Sequence, residues 1–220
     1  MKDSVNIMKD LQELTKSYQN KKLEIKRRLK EFKEVLNESD ERIFAELAFC
    51  ICTPQSKATS AWAAIEALVR NKYLFTRTER MIRPFLNTVR FADNKVKYIV
   101  EARELFTETG KLNIKEKIQS FPDSSKTREW LNDNVKGLGM KESSHFLRNI
   151  GLGSDIAILD VHILNNLKGY GIIEEIPKTL TKKIYLEIES KMKEFSKLVG
   201  IPLDELDLLF WSEETGIIFK

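Results

Sequence analysis

The sequence predicts an all-α protein, on three observations. Apolar residues recur at helical spacing along most of the chain. No segment shows the strict alternation of a half-buried strand. No internal repeat or low-complexity linker interrupts the pattern. In LEIKRRLKEFKEVL, Ile25, Leu29, Phe32 and Leu36 fall on one stripe. Ser39 followed by Asp40 and Glu41 is a helix start, because a hydroxyl cap and early carboxylates both suit a helix N-terminus. It leads into IFAELAFCICT, which Pro54 ends. SKATSAWAAIEALV is an alanine-rich helix. Asp93 is expected to cap NKVKYIVEARELF, with Val96, Ile99, Val100 and Leu105 on its inner face. The stretch Pro122 to Ser125 opens a helix through Trp130 and Leu131. TKKIYLEIESKMKEFSKLVG carries Ile184, Ile188, Met192 and Phe195 in register, and a last helix starts near Pro202. The total expected is about ten helices packed around apolar faces.

A chain of 220 residues suits one large domain or two small lobes, and can bury a substantial core. Charges make up 32% of it and interrupt every apolar run, so no membrane span is expected. The start, MKDSVNIMKD, lacks the apolar core of a signal peptide. The formal charge of +4 permits a nucleic-acid partner without requiring one. Cys50 and Cys52 lie one residue apart, a poor spacing for a disulfide or a zinc site. They read as buried apolar residues in a reducing cytoplasm. The richness in Lys, Glu and Ile is compatible with a thermophilic source.

The chemistry concentrates in KGLGMKESSHFLRNIG. A helix ends near Asn134 or Val135. Gly137 and Gly139 allow backbone angles that side chains forbid, and a new helix starts near Met140 with Phe146, Leu147 and Ile150 facing inward. Two helices joined by Gly-x-Gly form a helix-hairpin-helix. Backbone N–H groups at a helix N-terminus can then meet a phosphate closely, clamping a DNA backbone without reading its sequence. A pair of capping glycines between packed helices would leave the same letters. Lys141 falls on the first turn of the second helix, and Asp160 follows nineteen residues later in LDVHIL. Asp160 suits a plain N-cap. It also suits a carboxylate that stabilises positive charge on a sugar while a neutral lysine attacks the anomeric carbon. That pairing is what a glycosylase with lyase activity needs. Lysine starts near a pKa of about 10.4, so partial burial and cationic neighbours are expected to lower it.

With KGLGMK, the later aspartate of LDVH, TPQSKA, VRFADNK and the ending DLLFWSEETGIIFK, the chain resembles the archaeal-type, second-type 8-oxoguanine DNA glycosylase/lyase family of the helix-hairpin-helix superfamily. The resemblance runs from about residue 40 to the last residue. It implies two helical lobes with a DNA-binding cleft between them. The lobes expected are a central one over residues 55–165, with the hairpin near 130–151, and a second built from 1–54 and 166–220. It implies Lys141 as the Schiff-base nucleophile and Asp160 as its activator. Lys220 would discriminate 8-oxoguanine from guanine, with Trp211 and Phe91 against the base. A polar Gln55 would fill the gap left by the flipped base. Gly137, Gly139, Lys136, Arg148 and His162 are candidate DNA contacts, the last three balanced against ordinary surface solvation or loop support. The role of His145 stays open.

The partner implied is double-stranded DNA containing 8-oxoguanine, and the reaction is base excision followed by strand nicking. Related enzymes carry four cysteines near the C-terminus for an iron–sulfur cluster. Those are missing here, so no metal or other cofactor is expected. The resemblance leaves room for another damaged base, and the hairpin alone for a non-catalytic DNA-binding module. A prokaryotic, cytoplasmic monomer acting at the nucleoid is expected.

Overall fold

The structure, a computed structural model, describes residues 4–220, with side chains from Leu11 onward. Among the described residues the chain forms twelve α-helices, one 3-10 turn and one small β-hairpin. It divides into two compact units. One is built from residues through Phe32 together with Gly153–Lys220, the other from Lys33–Leu152. These boundaries differ from the expected 55–165, because α2 packs on helices of the middle of the chain and the residues before Asp160 pack with the C-terminal helices.

In the first unit α1 (Ser4–Val35) supplies Leu14, Tyr18, Ile25, Leu29 and Phe32 as a buried stripe. Past Phe32 the buried residue of α1 is Val35, and Leu36 lies beyond the helix end, so the stripe closes one residue earlier than its spacing suggested. The unit continues with α10 (Val161–Gly169), α11 (Lys182–Val199) and α12 (Leu203–Thr215). Ile188, Met192 and Phe195 of α11 are buried as expected, joined by Tyr185 rather than Ile184. Tyr18 donates to Glu205 Oε2 at 2.6 Å, which ties α1 to α12 by a buried hydrogen bond.

The second unit is organised around α2 (Asp40–Cys52), which is buried on all sides from Ile43 to Cys52. Ser39 caps it as expected, its side chain accepting from Arg42 N. A helix apolar all round belongs inside a core, and burying each large side chain is worth about 1.5–3 kcal/mol. α2 contacts α3 (Ala58–Arg70), α6 (Ala92–Leu105), α7 (Ile114–Gln119) and α9 (Met140–Asn149). One charge lies within this core. Glu46 accepts from Arg42 Nη1 at 2.7 Å and from Asn149 Nδ2 at 3.1 Å, so its carboxylate is paired and hydrogen-bonded. Cys50 and Cys52 are buried free thiols.

The short helices α4 (Tyr73–Thr76) and α5 (Glu79–Ile82) and the 3-10 turn at Arg83–Leu86 join α3 to α6. Two expectations for α6 change. Its N-cap is Phe91 and Asp93 sits in the first turn, where a carboxylate still suits the helix dipole. Leu105 is exposed and the next residue, Phe106, takes the buried place. The expectation of no strands also gives way at one point: Thr107–Glu108 pairs antiparallel with Lys111–Leu112 around Thr109 and Gly110. Strands of two residues are too short to show an alternation in sequence. The last helix of this unit besides α9 is α8 (Ser124–Asn134), capped by the Asp123 side chain at Lys126 N.

Candidate functional site

The hairpin forms where the sequence put it. α8 ends at Asn134 with Val135 as C-cap, and α9 begins at Met140 with Gly139 as N-cap. Between them Leu138 is buried and pins the turn, while Lys136, Gly137 and Gly139 face outward. Gly137 has φ +86°, and a Cβ there would lie 2.6 Å from Cδ2 of Tyr98. Both the angle and the closeness of the ring exclude a side chain. The two helices are also joined by buried Arg128, which donates to Ser144 Oγ at 3.2 Å.

Lys141 lies on the first turn of α9 with its side chain 26% exposed. Its ammonium is 3.2 Å from Glu142 Oε1. The other oxygen of that carboxylate accepts from Gly139 N at 3.3 Å. Glu142 is therefore the third helical residue reaching back to the cap N–H, half of a capping box. The expected phosphate cradle thus has one of its N–H groups engaged by the protein's own carboxylate.

Lys136 is exposed and pairs with Glu101 at 3.0 Å. An exposed pair of this kind is worth about 0–1 kcal/mol, so exchanging Glu101 for a phosphate costs little. Arg148 corrects the sequence reading. It is only 6% exposed, on the fully buried run from Ser143 to Ile150, and it reaches Asn149 Oδ1 at 3.4 Å. A guanidinium inside the unit is not a surface contact for DNA. Its neighbour His145 is also buried, edge-on to Phe49 with ring centroids 5.5 Å apart.

Gln55 and Phe91 share an unexpected property. Both are non-glycine residues in the left-handed region, each with φ +55°. Gln55 is exposed, and Phe91 is 58% exposed beneath the Arg90 guanidinium, 5.5 Å from its ring centre. Behind them stands Lys95, whose ammonium donates to Cys52 O, Pro54 O and Ser56 Oγ. Burial pushes this ammonium below the ordinary lysine value. Sequence reasoning passed over Lys95. The available signal was its register, since it shares an inner face with Ala92, Ile99 and Ala102.

In the other unit Asp160 is the N-cap of α10, its Oδ1 accepting from Ile163 N at 2.9 Å. The extended segment before it, with Ile156 to Leu159 buried, is held by α11. Tyr185 donates to Ala157 O at 2.7 Å and its hydroxyl accepts from Leu159 N at 3.1 Å, while Glu189 Oε2 accepts from Ala157 N at 2.8 Å. These bonds set the position from which Asp160 starts the helix. His162, on the same first turn, lies 3.9 Å from Glu214 of α12. Trp211 is half-buried on α12. That helix closes at Gly216, after which Ile218 is buried and Phe219 and Lys220 are half-buried. The final residues therefore pack on their unit. The expected nucleophile and carboxylate belong to different units, Lys141 to the middle one and Asp160 to the other.

This combination of a helix-hairpin-helix carrying a lysine, followed by a capping aspartate, matches a known family. The family model described as 8-oxoguanine DNA glycosylase matches residues 25–201. The chain belongs to the 8-oxoguanine DNA glycosylase family. Relatives are found in both bacteria and archaea. The 8-oxoguanine DNA glycosylase/AP lyase of Fusobacterium nucleatum is 48% identical over 209 residues, covering 94% of this chain and 96% of the relative. The enzyme of the same description from Korarchaeum cryptofilum is 43% identical over 198 residues, covering 89% and 90%. Among solved structures, the 8-oxoguanine DNA glycosylase of Methanocaldococcus jannaschii superposes with a TM-score of 0.87 at 36% identity, covering 97% of both chains. The same archaeal enzyme in complex with a 15mer DNA containing 8-oxoguanine matches with a TM-score of 0.85 at 37% identity, covering 94% of this chain and 99% of that one. The family that the motifs pointed to is the family found.

Proposed function

We propose that this protein is a DNA glycosylase and AP lyase that removes 8-oxoguanine from double-stranded DNA. The observation that carries the reading is Lys141 on the first turn after the Gly-x-Gly hairpin, in a chain that belongs to this family along most of its length. In this reading the hairpin N–H groups and Lys136 hold the DNA backbone, and the lesion is flipped out of the stack. The neutral amine of Lys141 attacks C1′ of the damaged nucleotide. The C1′–N9 bond breaks, and the base leaves with a proton. Asp160 stabilises the positive charge that builds on the sugar before the new C–N bond is complete. The resulting imine acidifies C2′. Loss of a C2′ proton expels the 3′ phosphate by β-elimination and nicks the strand on the 3′ side. Trp211, Phe91 and Lys220 are assigned to the base, and Gln55 to the gap it leaves. His162, half-exposed beside Glu214, is assigned to loop support with a phosphate within reach.

The test is borohydride trapping on a duplex with 8-oxoguanine opposite cytosine, with Lys141→Gln run in parallel. Wild type is expected to give a covalent protein–DNA adduct and the variant none. No wild-type adduct, with tight binding retained, would reduce Lys141 to a phosphate contact and favour a binding module.

A further inference from the structure

Lys95 has a geometry that the proposed chemistry does not use. It is 4% exposed, and its ammonium meets three oxygens: Cys52 O at 2.7 Å, Pro54 O at 2.6 Å and Ser56 Oγ at 3.2 Å. An ammonium has three N–H donors, so this set uses all of them. The three acceptors surround Gln55, which is held exposed at φ +55°. Ser56 Oγ also accepts from Arg90 N at 3.0 Å, one residue before Phe91, which has the same left-handed φ. Left-handed backbone at non-glycine residues costs about 1–3 kcal/mol each and persists only where the surroundings over-determine it. Here one buried cation ties both strained positions to a single frame, and Lys141 and Glu142 of the hairpin lie within its electrostatic reach.

We infer that Lys95 is a positioning residue for damaged DNA: its ammonium locks the 52–56 turn, and through Ser56 the 90–91 turn, so that Gln55 and Phe91 meet the duplex already in place. The inference rests on the glycosylase reading of those two side chains. A preset loop spares the ordering cost that a loose one would incur on binding, so its loss falls on recognition of the lesion site more than on the bond-breaking step.

The experiment is a double-mutant cycle read by binding. Dissociation constants are measured for a duplex bearing a tetrahydrofuran abasic analogue and for the undamaged duplex, at one salt concentration. The proteins are wild type, Gln55→Ala, Lys95→Met and the double variant. Each single variant is expected to lower the preference for the abasic duplex by about tenfold, the scale of a misplacement of about an ångström. The double variant is expected to lose no more than either single one, because residues acting through one another are not additive. Ser56→Ala removes only one acceptor and the link to Arg90. It is expected to lose about threefold, and combined with Gln55→Ala it supplies the same cycle should Lys95→Met fail to fold. Losses that multiply towards about a hundredfold would assign Lys95 a general structural role and overturn the inference. So would full preference retained in Lys95→Met or Ser56→Ala, or no preference in wild type. Borohydride trapping of wild type tests the chemistry separately. A missing adduct beside an intact cycle would sink the lyase reading and leave Lys95 in place.

Discussion

Asp160 caps α10 through Oδ1, so a variant that tests its chemistry has to spare the cap. Asparagine does so. It is as good an N-cap as aspartate, whereas alanine loses about 1 kcal/mol at such a position. Asp160→Asn is therefore expected to leave unfolding within about 0.5 kcal/mol of wild type while lowering single-turnover excision by about a hundredfold or more. Asp160→Ala should lose both. Urea unfolding and single-turnover kinetics on the same preparations separate the two effects. Excision by the asparagine variant at the wild-type rate would make Asp160 a cap and nothing more. The aspartate before an apolar run was legible in sequence, but its two roles share one side chain, and local pattern could not divide them.

The hairpin and its exit illustrate how an element depends on what touches it. Gly137 precedes α9 and Gly151 follows it, with φ of +86° and +81°. A Cβ at Gly151 would lie 2.5 Å from the Cα of Lys33, and backbone cannot step aside. At Gly137 the obstacle is the ring of Tyr98, a side chain that can rotate. Gly151→Ala is thus expected to destabilise by roughly 2 kcal/mol or more, and Gly137→Ala by less. DNA binding should show the reverse order, because Gly137 faces the proposed phosphate and Gly151 does not. Chemical denaturation and a filter-binding titration decide both halves. The reverse order of stabilities would mean that α1 yields near Lys33. The Gly-x-Gly letters announced the turn. Tyr98 and Lys33, which enforce it, come from α6 and α1 and left no mark on the local sequence.

For the molecule as a whole, the buried titratable groups set the alkaline limit. Burial raises the Cys50 thiol well above its ordinary value and the Cys52 thiol to about 12, and burial with the Glu205 hydrogen bond raises the Tyr18 phenol. In the unfolded chain thiols lose their protons from about pH 9 and the phenol from about pH 10. Above those values the folded state holds more protons than the unfolded one, so stability falls as pH rises. Each such group contributes a slope of about 1.4 kcal/mol per pH unit. Lys95 acts with the opposite sign. Its folded value is lowered, so the unfolded chain holds the extra proton, and this gain ends near the ordinary 10.5. The unfolding free energy is expected to decline from about pH 9 and more steeply above about pH 10.5. Equilibrium unfolding across pH 8–11 measures it, and a flat profile would show that the two thiols are not held away from water. The sequence marked both cysteines as apolar residues. The tyrosine–glutamate pair joins residues far apart in the chain and could not be read from it.

The sequence by itself determined the helices, the place of the hairpin, the lysine and aspartate on their first turns, and the family. All of these depend on local periodicity, on glycine and capping chemistry, or on motifs whose letters lie close together. Tertiary structure decided the rest. It turned Arg148 inward, ended the α1 stripe at Val35, held the segment before Asp160 with Tyr185 and Glu189, and gave Lys95 three oxygens in place of solvent. The physical reason is common to all four. A charged or polar side chain is placed by the partners that repay its desolvation, and those partners are brought from other elements by packing.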